Sequence, residues 1–284
     1  MKIGMSDNIT ASGETYDFLL EEAEKHRKEL TDSIQYASYI QSALLPSKEI
    51  FNRLLPENFI FFKPRDIVSG DFYWISKFRN CVIIAAADCT GHGVPGAFMS
   101  MLGISFLNEI VGKGCFSSAS SILNQLRERV MKTMHQTGDR KEQKDGMDIT
   151  LCILDFEKKQ AQYAGANNPF YLVRDGNLIE IKGDRMPIGI NIVEERSFTN
   201  HVIELEEGDM IYLITDGYPD QFGGSNERKF KYKPFKDILS QIYSLQMTEQ
   251  VLVLDDELHK WMGNVKQIDD ILILGFRYLS IQLK

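Results

Sequence analysis

Five short runs of apolar and β-branched residues in this chain begin or end on an aspartate. Asp71 opens Asp-Phe-Tyr-Trp-Ile, Asp88 closes Val-Ile-Ile-Ala-Ala-Ala, and Asp145 and Asp148 precede Ile-Thr-Leu-Cys-Ile-Leu. Asp216 closes Met-Ile-Tyr-Leu-Ile-Thr, and Asp269 and Asp270 open Ile-Leu-Ile-Leu. Runs of this length and composition read as buried strands. Taken singly, each aspartate is an ordinary turn residue or cap. Taken together, on strands that neighbour one another in a sheet, the carboxylates collect at one rim. There they repel one another and raise their own pKa values. A divalent cation removes that cost. Oxygen donors without His or Cys spacing select Mg2+ or Mn2+ over zinc. Ser69-Gly70-Asp71, Asp88-Cys89-Thr90-Gly91-His92-Gly93 and Asp216-Gly217 add flexible backbone beside these acids, which lets main-chain groups approach a metal or phosphate.

Further strands are expected at Phe59–Lys63, Lys159–Ala164, Phe170–Arg174, Asn177–Lys182 and Ser197–Glu204. Helices are expected over Val94–Val111, Ser117–Met134, Pro234–Leu245 and Thr248–Trp261, with a polar loop at Gln136–Lys144. Strands in clusters and helices in pairs, without βαβ alternation, predict antiparallel sheet covered by helices, an α+β layered fold.

The N-terminal segment has a different texture. Residues 1–13 read as a disordered polar tail. From Glu14 to Leu45 there is no Gly or Pro, and Leu19, Ala23, Leu30, Ile34, Ala37, Ile40 and Leu44 recur mostly three or four apart. That is a helical period, closed by Pro46. A helix of about 30 residues spans about 45 Å, longer than internal packing of a small domain needs. It reads as a linker or dimerisation helix over residues 14–46, followed by one catalytic domain over 47–284. Its docking is expected to set the geometry of the Asp216 side of the rim.

Composition narrows the function classes. The chain is 43 % hydrophobic and 25 % charged, so disorder is excluded for most of it. A net charge of −8 argues against a basic footprint for nucleic acid or an anionic membrane. The purely apolar stretches, such as Val82–Ala87, are far shorter than the roughly 20 residues of a membrane span. Cys81, Cys89, Cys115 and Cys152 are scattered, with no zinc or disulfide spacing. A cytoplasmic location is the expectation, without nucleic acid or membrane as partner.

Seven motifs carry a resemblance. They are Arg65-Asp-Ile-Val-Ser-Gly-Asp-Phe-Tyr-Trp, Ala87-Asp-Cys-Thr-Gly-His-Gly-Val-Pro-Gly-Ala, Asp145-Gly-Met-Asp-Ile-Thr-Leu, Gly165-Ala-Asn-Asn-Pro, Met186-Pro-Ile-Gly, Thr215-Asp-Gly and Asp269-Asp-Ile-Leu. In this order they resemble the SpoIIE/RsbU-type bacterial serine phosphatases, a branch of the metal-dependent protein phosphatase 2C-like family. The segment ending Ile40-Gln-Ser-Ala-Leu-Leu-Pro is similar to the linker helix that joins sensor modules to such domains. The resemblance implies an αββα sandwich of two antiparallel sheets flanked by helix pairs, preceded by the long helix. It also implies hydrolysis of phosphoserine or phosphothreonine by a water activated between two Mn2+ or Mg2+ ions, without a phosphoenzyme.

Carried onto this chain, the resemblance makes Asp88 the bridging ligand and gives the Cys89 carbonyl to one ion. Asp71 holds the pair mainly through water, and Asp216 with Asp269 or Asp270 completes the other ion, the pattern favouring Asp269. Asp145 is a candidate for a weaker third ion. Arg65 is the candidate for the substrate phosphate, since guanidinium matches phosphate bidentately. His92 is a candidate general acid, with loop structure as the competing reading. Two positions depart from the family pattern: Gly165-Ala-Asn-Asn-Pro lacks a histidine many relatives carry, and Leu272 stands where Thr is common. The implied substrate is a phosphorylated anti-sigma-factor antagonist of the STAS type, with a homodimer through the N-terminal helix and an upstream sensor protein as further partners. Two other classes compete with this reading: a phosphatase-like scaffold with little turnover, and a two-metal phosphodiesterase. Retention of every proposed carboxylate argues against the first. Lack of His ligands and of a basic groove argues against the second.

Overall fold

Helix α1 (Asp7–Leu44) and a short α2 (Lys48–Leu54) open the chain in a computed structural model that describes residues 7–137, 144–191 and 196–280, with side chains from Tyr16 onward. Two five-stranded antiparallel sheets follow. One contains β1 (Asn58–Lys63), β6 (Phe170–Arg174), β7 (Asn177–Ile181), β9 (Met210–Ile214) and β12 (Ile271–Arg277), in the order β1-β12-β9-β6-β7. The other contains β2 (Phe72–Phe78), β3 (Cys81–Cys89), β4 (Met147–Asp155), β5 (Gln160–Ala166) and β8 (His201–Glu204), in the order β2-β3-β4-β5-β8. β10 (Phe222–Gly223) and β11 (Arg228–Lys229) form a small separate hairpin.

The helices pair up on the outer faces. α3 (Gly93–Lys113) and α4 (Ala119–Thr133) cover the β2–β3–β4–β5 face, where Ile104, Leu107, Ile122 and Leu126 pack on Phe72, Ile83, Ala85 and Leu151. After a short α5 (Gly217–Asp220), α6 (Tyr232–Ile242) and α7 (Met247–Met262) cover the other sheet, with Phe235, Leu239, Leu254 and Leu258 against Tyr171, Tyr212 and Ile273. Between the sheets lie Ile84, Cys152, Tyr163, Leu213 and Leu274, joined by Phe51 and Leu54 of α2. β3 illustrates the period of two: Ile83 and Ala85 face α3 and α4, whereas Ile84 and Ala86 face the other sheet. Both faces are covered, so the strand is apolar throughout. The architecture is the expected αββα sandwich behind a long helix.

Some elements differ from expectation. α1 starts at Asp7 and takes in residues 7–13 of the expected tail; residues 1–6 lie outside the described residues, as does most of the expected Gln136–Lys144 loop. The strand expected from Ser197 begins only at His201. Phe198 and Thr199 give their N–H groups to Asn124 Oδ1 (3.0 Å) and Asp184 Oδ2 (2.7 Å) instead of a neighbouring strand. α3 has 21 residues and a mean hydropathy of 1.4 in its apolar window, the length and composition of a membrane span, and half of that window is buried inside the molecule.

The 38 residues of α1 make a rod of about 57 Å. Residues 16–30 are all exposed. Contact begins with Ile34 and Ala37, which are half-buried, and culminates at Gln41, where the helix meets α3.

Candidate metal centre

Antiparallel pairing converts the aspartate pattern into geometry, because the end of one strand meets the start of its neighbour. Asp88, near the end of β3, stands directly opposite Asp148, near the start of β4. Asp71 lies one residue beyond the Phe72–Ala87 pair of β2 and β3. In the other sheet, the β9–β12 pairing runs on past the strands through the Thr215 N–H to Leu272 carbonyl bond (3.0 Å), which brings Asp216 beside Asp269 and Asp270. The two rims meet at one end of the sandwich. Thr215 Oγ1 donates to Asp71 Oδ2 at 2.7 Å, and the Gly70 N–H donates to Asp270 Oδ2 at 2.7 Å.

Close backbone approach fixes this end. A Cβ on Gly70 would lie 2.7 Å from the Gly91 carbonyl oxygen, and one on Gly217 would lie 1.9 Å from the Asp270 carbonyl oxygen. Only glycine permits these contacts. The loop after β3 is tied back by Thr90, which donates its N–H to the Gly146 carbonyl (2.9 Å) and accepts the Gly146 N–H at Oγ1 (3.1 Å).

A cleft of about 270 Å3 opens at this rim, lined by Asp88, Cys89, Thr90, Gly91, His92, Asp148 and Asp269. Asp216 joins it through a side-chain hydrogen bond with Asp88. A larger apolar groove of about 560 Å3, between α2, β1 and α7, contains no comparable gathering of acids. Burial first, and the charges of Asp216 and Asp269 second, push Asp88 from 3.8 up to about 9. Burial and then Asp269 push Asp216 up to about 6. Asp71 is raised well above its ordinary value by burial and then by Asp88; Asp148 and Asp269 are raised chiefly by burial. Burial and mutual repulsion thus gather hard oxygen donors at one place, a set whose chemistry suits a divalent cation.

Among the described residues, no group of three His, Cys, Asp or Glu side chains converges closely enough to enclose an ion as it stands. The carboxylates are instead satisfied by one another and by neighbours: Asp88 with Asp216, Asp148 with Asn167 Nδ2 (2.8 Å), and Asp269 with the Asp270 N–H (2.9 Å). The donor chemistry fits Mg2+ or Mn2+, which would replace these internal bonds.

The structure sorts the sequence candidates. Asp71, Asp88, Cys89, Asp216 and Asp269 come together at the rim. Asp270 accepts the N–H groups of Arg65 and Gly70, each at 2.7 Å, and is 3 % exposed, so it acts as a clamp while Asp269 faces the cleft. Asp145 is half-buried behind the loop, where its carbonyl accepts Gln136 Nε2 at 2.5 Å. Asp148, named with the other strand-flanking acids but given no ligand role by the resemblance, lines the cleft. Its signal was its register: a strand begun at Ile149 leaves it in a loop, whereas β4 begins at Met147. Arg65 borders a neighbouring hollow with Asp66 and Lys266, donates to the Ile268 carbonyl at 3.0 Å, and its charge reaches Asp269. His92 caps the start of α3 at the cleft edge, with Nδ1 3.3 Å from Asp66 Oδ2.

Residues 79–279 match the family model of stage II sporulation protein E (SpoIIE). The chain is a member of the SpoIIE family. Similar solved structures include the SiaA-PP2C domain of Pseudomonas aeruginosa, 34 % identical, with a TM-score of 0.79 over 89 % of this chain and 98 % of that one. RsbX, solved in complex with magnesium, shares the fold at 18 % identity and a TM-score of 0.54, over 78 % of this chain and 94 % of that one. Phosphoserine phosphatase RsbU of Bacillus subtilis is 27 % identical over 198 residues, 67 % of this chain. The chain spans about half the length of that relative, 54 %. The SpoIIE family to which it belongs is of the PP2C type, a serine/threonine phosphatase family, and the cleft lies at the rim where its strands converge.

Proposed function

We propose that this chain is a metal-dependent phosphoserine/phosphothreonine protein phosphatase. One observation carries the reading: carboxylates from both sheets meet in one cleft, where burial and their mutual repulsion raise them together, Asp88 to about 9. Asp88, Asp216, Asp269 and the Cys89 carbonyl would hold two Mn2+ or Mg2+ ions, with Asp71 and Asp148 behind them and Asp145 as the candidate for a third. Bound there, the ions lower the pKa of a water and neutralise phosphoryl oxygens.

The chain's own groups do the rest. Carboxylates hold hard cations without competing as nucleophiles for phosphorus. Arg65, hydrogen-bonded beside Asp269, supplies a guanidinium to the phosphate of a bound phosphoserine. His92, exposed at the mouth, is placed to give a proton to the departing serine oxygen, and its contact with Asp66 orients the ring. RsbX, a neighbour in fold, was solved with magnesium, which is consistent with this donor set.

The substrate we propose is a phosphorylated STAS-type anti-sigma-factor antagonist in the cytoplasm. An upstream sensor acts through α1. Tyr36, Ile40 and Leu44 form an exposed apolar stripe at four-residue spacing, with Leu19 and Leu30 exposed further out. A second copy of the helix is its proposed partner. Sedimentation should give a dimer for the full chain and a monomer for a Leu19→Glu/Leu30→Glu variant; a monomeric parent would remove the dimer from the proposal.

The activity is tested by hydrolysis of a phosphoserine protein or p-nitrophenyl phosphate with Mn2+, with EDTA, and with Asp88→Asn. Turnover in EDTA, or full activity in the variant, would refute the two-metal reading.

A further inference from the structure

Gln41 stands where the packing stripe of α1 calls for an apolar side chain. It is 5 % exposed, and its carboxamide is fully engaged. Oε1 accepts the Ser69 N–H at 3.1 Å, while Nε2 donates to the Ser69 carbonyl at 2.5 Å and to Ser100 Oγ on α3 at 2.8 Å. A side chain that takes both polar groups of one residue pins that residue's backbone as an adjacent strand would. Ser69 is itself completely buried, and its own hydroxyl has no hydrogen-bond partner.

What Ser69 leads into gives the contact its meaning. The next N–H, that of Gly70, is held by Asp270 at 2.7 Å, and the next side chain is Asp71, held by Thr215 at 2.7 Å. Gly70 has no slack, because a Cβ there would meet the Gly91 carbonyl oxygen at 2.7 Å. A shift of the Ser69 peptide therefore moves Asp71 and loosens Asp270 together. Docking of α1 reaches the rim on this side, through Ser69, rather than on the Asp216 side expected from sequence.

We infer that Gln41 is a positioning residue for the metal-binding carboxylates, which makes the last turn of α1 part of the catalytic centre's framework. The inference rests on the metal-dependent reading above. A purely structural alternative is that Gln41 anchors the helix to α3. Ser100→Ala separates the two, because it removes the anchor to α3, together with only the long 3.4 Å contact of Ser100 Oγ to the Ser69 carbonyl, and leaves both Gln41–Ser69 bonds in place.

The decisive experiment is calorimetric titration of Mn2+ alone into the full-length protein and its variants, with kcat and KM measured alongside on p-nitrophenyl phosphate. Gln41→Leu should weaken Mn2+ binding by about tenfold or more, in the range found when partners behind metal ligands are lost. It should lower kcat at fixed Mn2+ while leaving KM within about twofold. Ser100→Ala should bind Mn2+ within about twofold of the parent. Gln41→Glu, which keeps the acceptor for the Ser69 N–H, should fall between them and serves if Gln41→Leu does not fold. Parent-like Mn2+ binding in Gln41→Leu or Gln41→Glu would overturn the inference, as would an equal loss in Ser100→Ala. A parent protein that binds no Mn2+ would refute the metal reading itself and the inference with it, a result distinct from a binding parent with unaffected variants.

Discussion

Strand β9 has an aspartate just outside each end, one buried and one half-buried, and the two are treated in opposite ways. At its start, Asp209 is 2 % exposed and fully compensated. Arg174 gives it two hydrogen bonds, Nε at 2.7 Å and Nη2 at 2.6 Å, and the Glu206 N–H adds a third at 2.8 Å. Beyond its other end, Asp216 shares a hydrogen bond with Asp88, another acid, and both are pushed upward. The same fold that supplies a guanidinium to one buried carboxylate supplies only further carboxylates to the other. A self-sufficient structure would neutralise both ends. On the proposed metal-dependent reading, the second end is the one completed from outside, by a cation.

Substitutions at the two ends should therefore separate cleanly. The largest effect is expected for Asp88→Asn, which should lower Mn2+-dependent hydrolysis by well over about a hundredfold, more than about 3 kcal/mol of transition-state stabilisation. Asp209→Asn should instead preserve Mn2+ dependence and lose about 3 kcal/mol of folding stability, because it leaves Arg174 beside a broken pair. Urea unfolding of both variants without metal checks the second half of the comparison. Asp88→Asn should then be more stable than the parent, since it removes a repelled carboxyl. Variants that shift stability in the same direction would break the contrast.

The pH dependence follows with the same sign. A carboxyl whose folded pKa is raised holds its proton more tightly in the native state, so stability is lost as pH rises from the unfolded value through the folded one. For Asp216 that window runs from 3.8 to about 6, and for Asp88 from 3.8 to about 9. Thermal melts without metal should fall across this range, and saturating Mg2+ should flatten the slope. A metal-free melting temperature that rises steadily with pH would contradict the origin assigned to these shifts. The smallest effect is expected for His92→Ala. Lying at the edge of the cleft, it should cost less than about tenfold in kcat, about 1.4 kcal/mol.

The sequence revealed much of this because strand ends are local. Apolar runs such as Val82–Ala87 announce β3, and antiparallel pairing does the rest, placing Asp71 beside Asp88 and Asp269 beside Asp216. Features fixed by distant contacts were not legible. α2 has no side-chain cap at Ser47 and exists because Phe51 and Leu54 enter the core between the sheets. The separate tasks of Asp269 and Asp270, adjacent and chemically identical, depend on the Arg65 and Gly70 N–H groups some 200 residues away in sequence. Asp148 was legible as a strand-end acid, but its place opposite Asp88 was not, because β4 begins two residues before the expected Ile149. Gln41 looked like one polar residue in a linker motif, and only the fold brings Ser69 to it.

The most direct test is calorimetric titration of Mn2+ into the metal-free protein at pH 7, repeated in buffers of different ionisation enthalpy. With burial and its acidic neighbours raising Asp88 to about 9, the Asp88–Asp216 pair should hold a proton at neutral pH that Mn2+ displaces, so binding should release about one proton per molecule. The heat should then change from buffer to buffer, and Asp88→Asn should abolish that dependence along with most of the affinity. Absence of binding, or binding that releases no proton and survives Asp88→Asn, would contradict a rim left uncompensated for a cation.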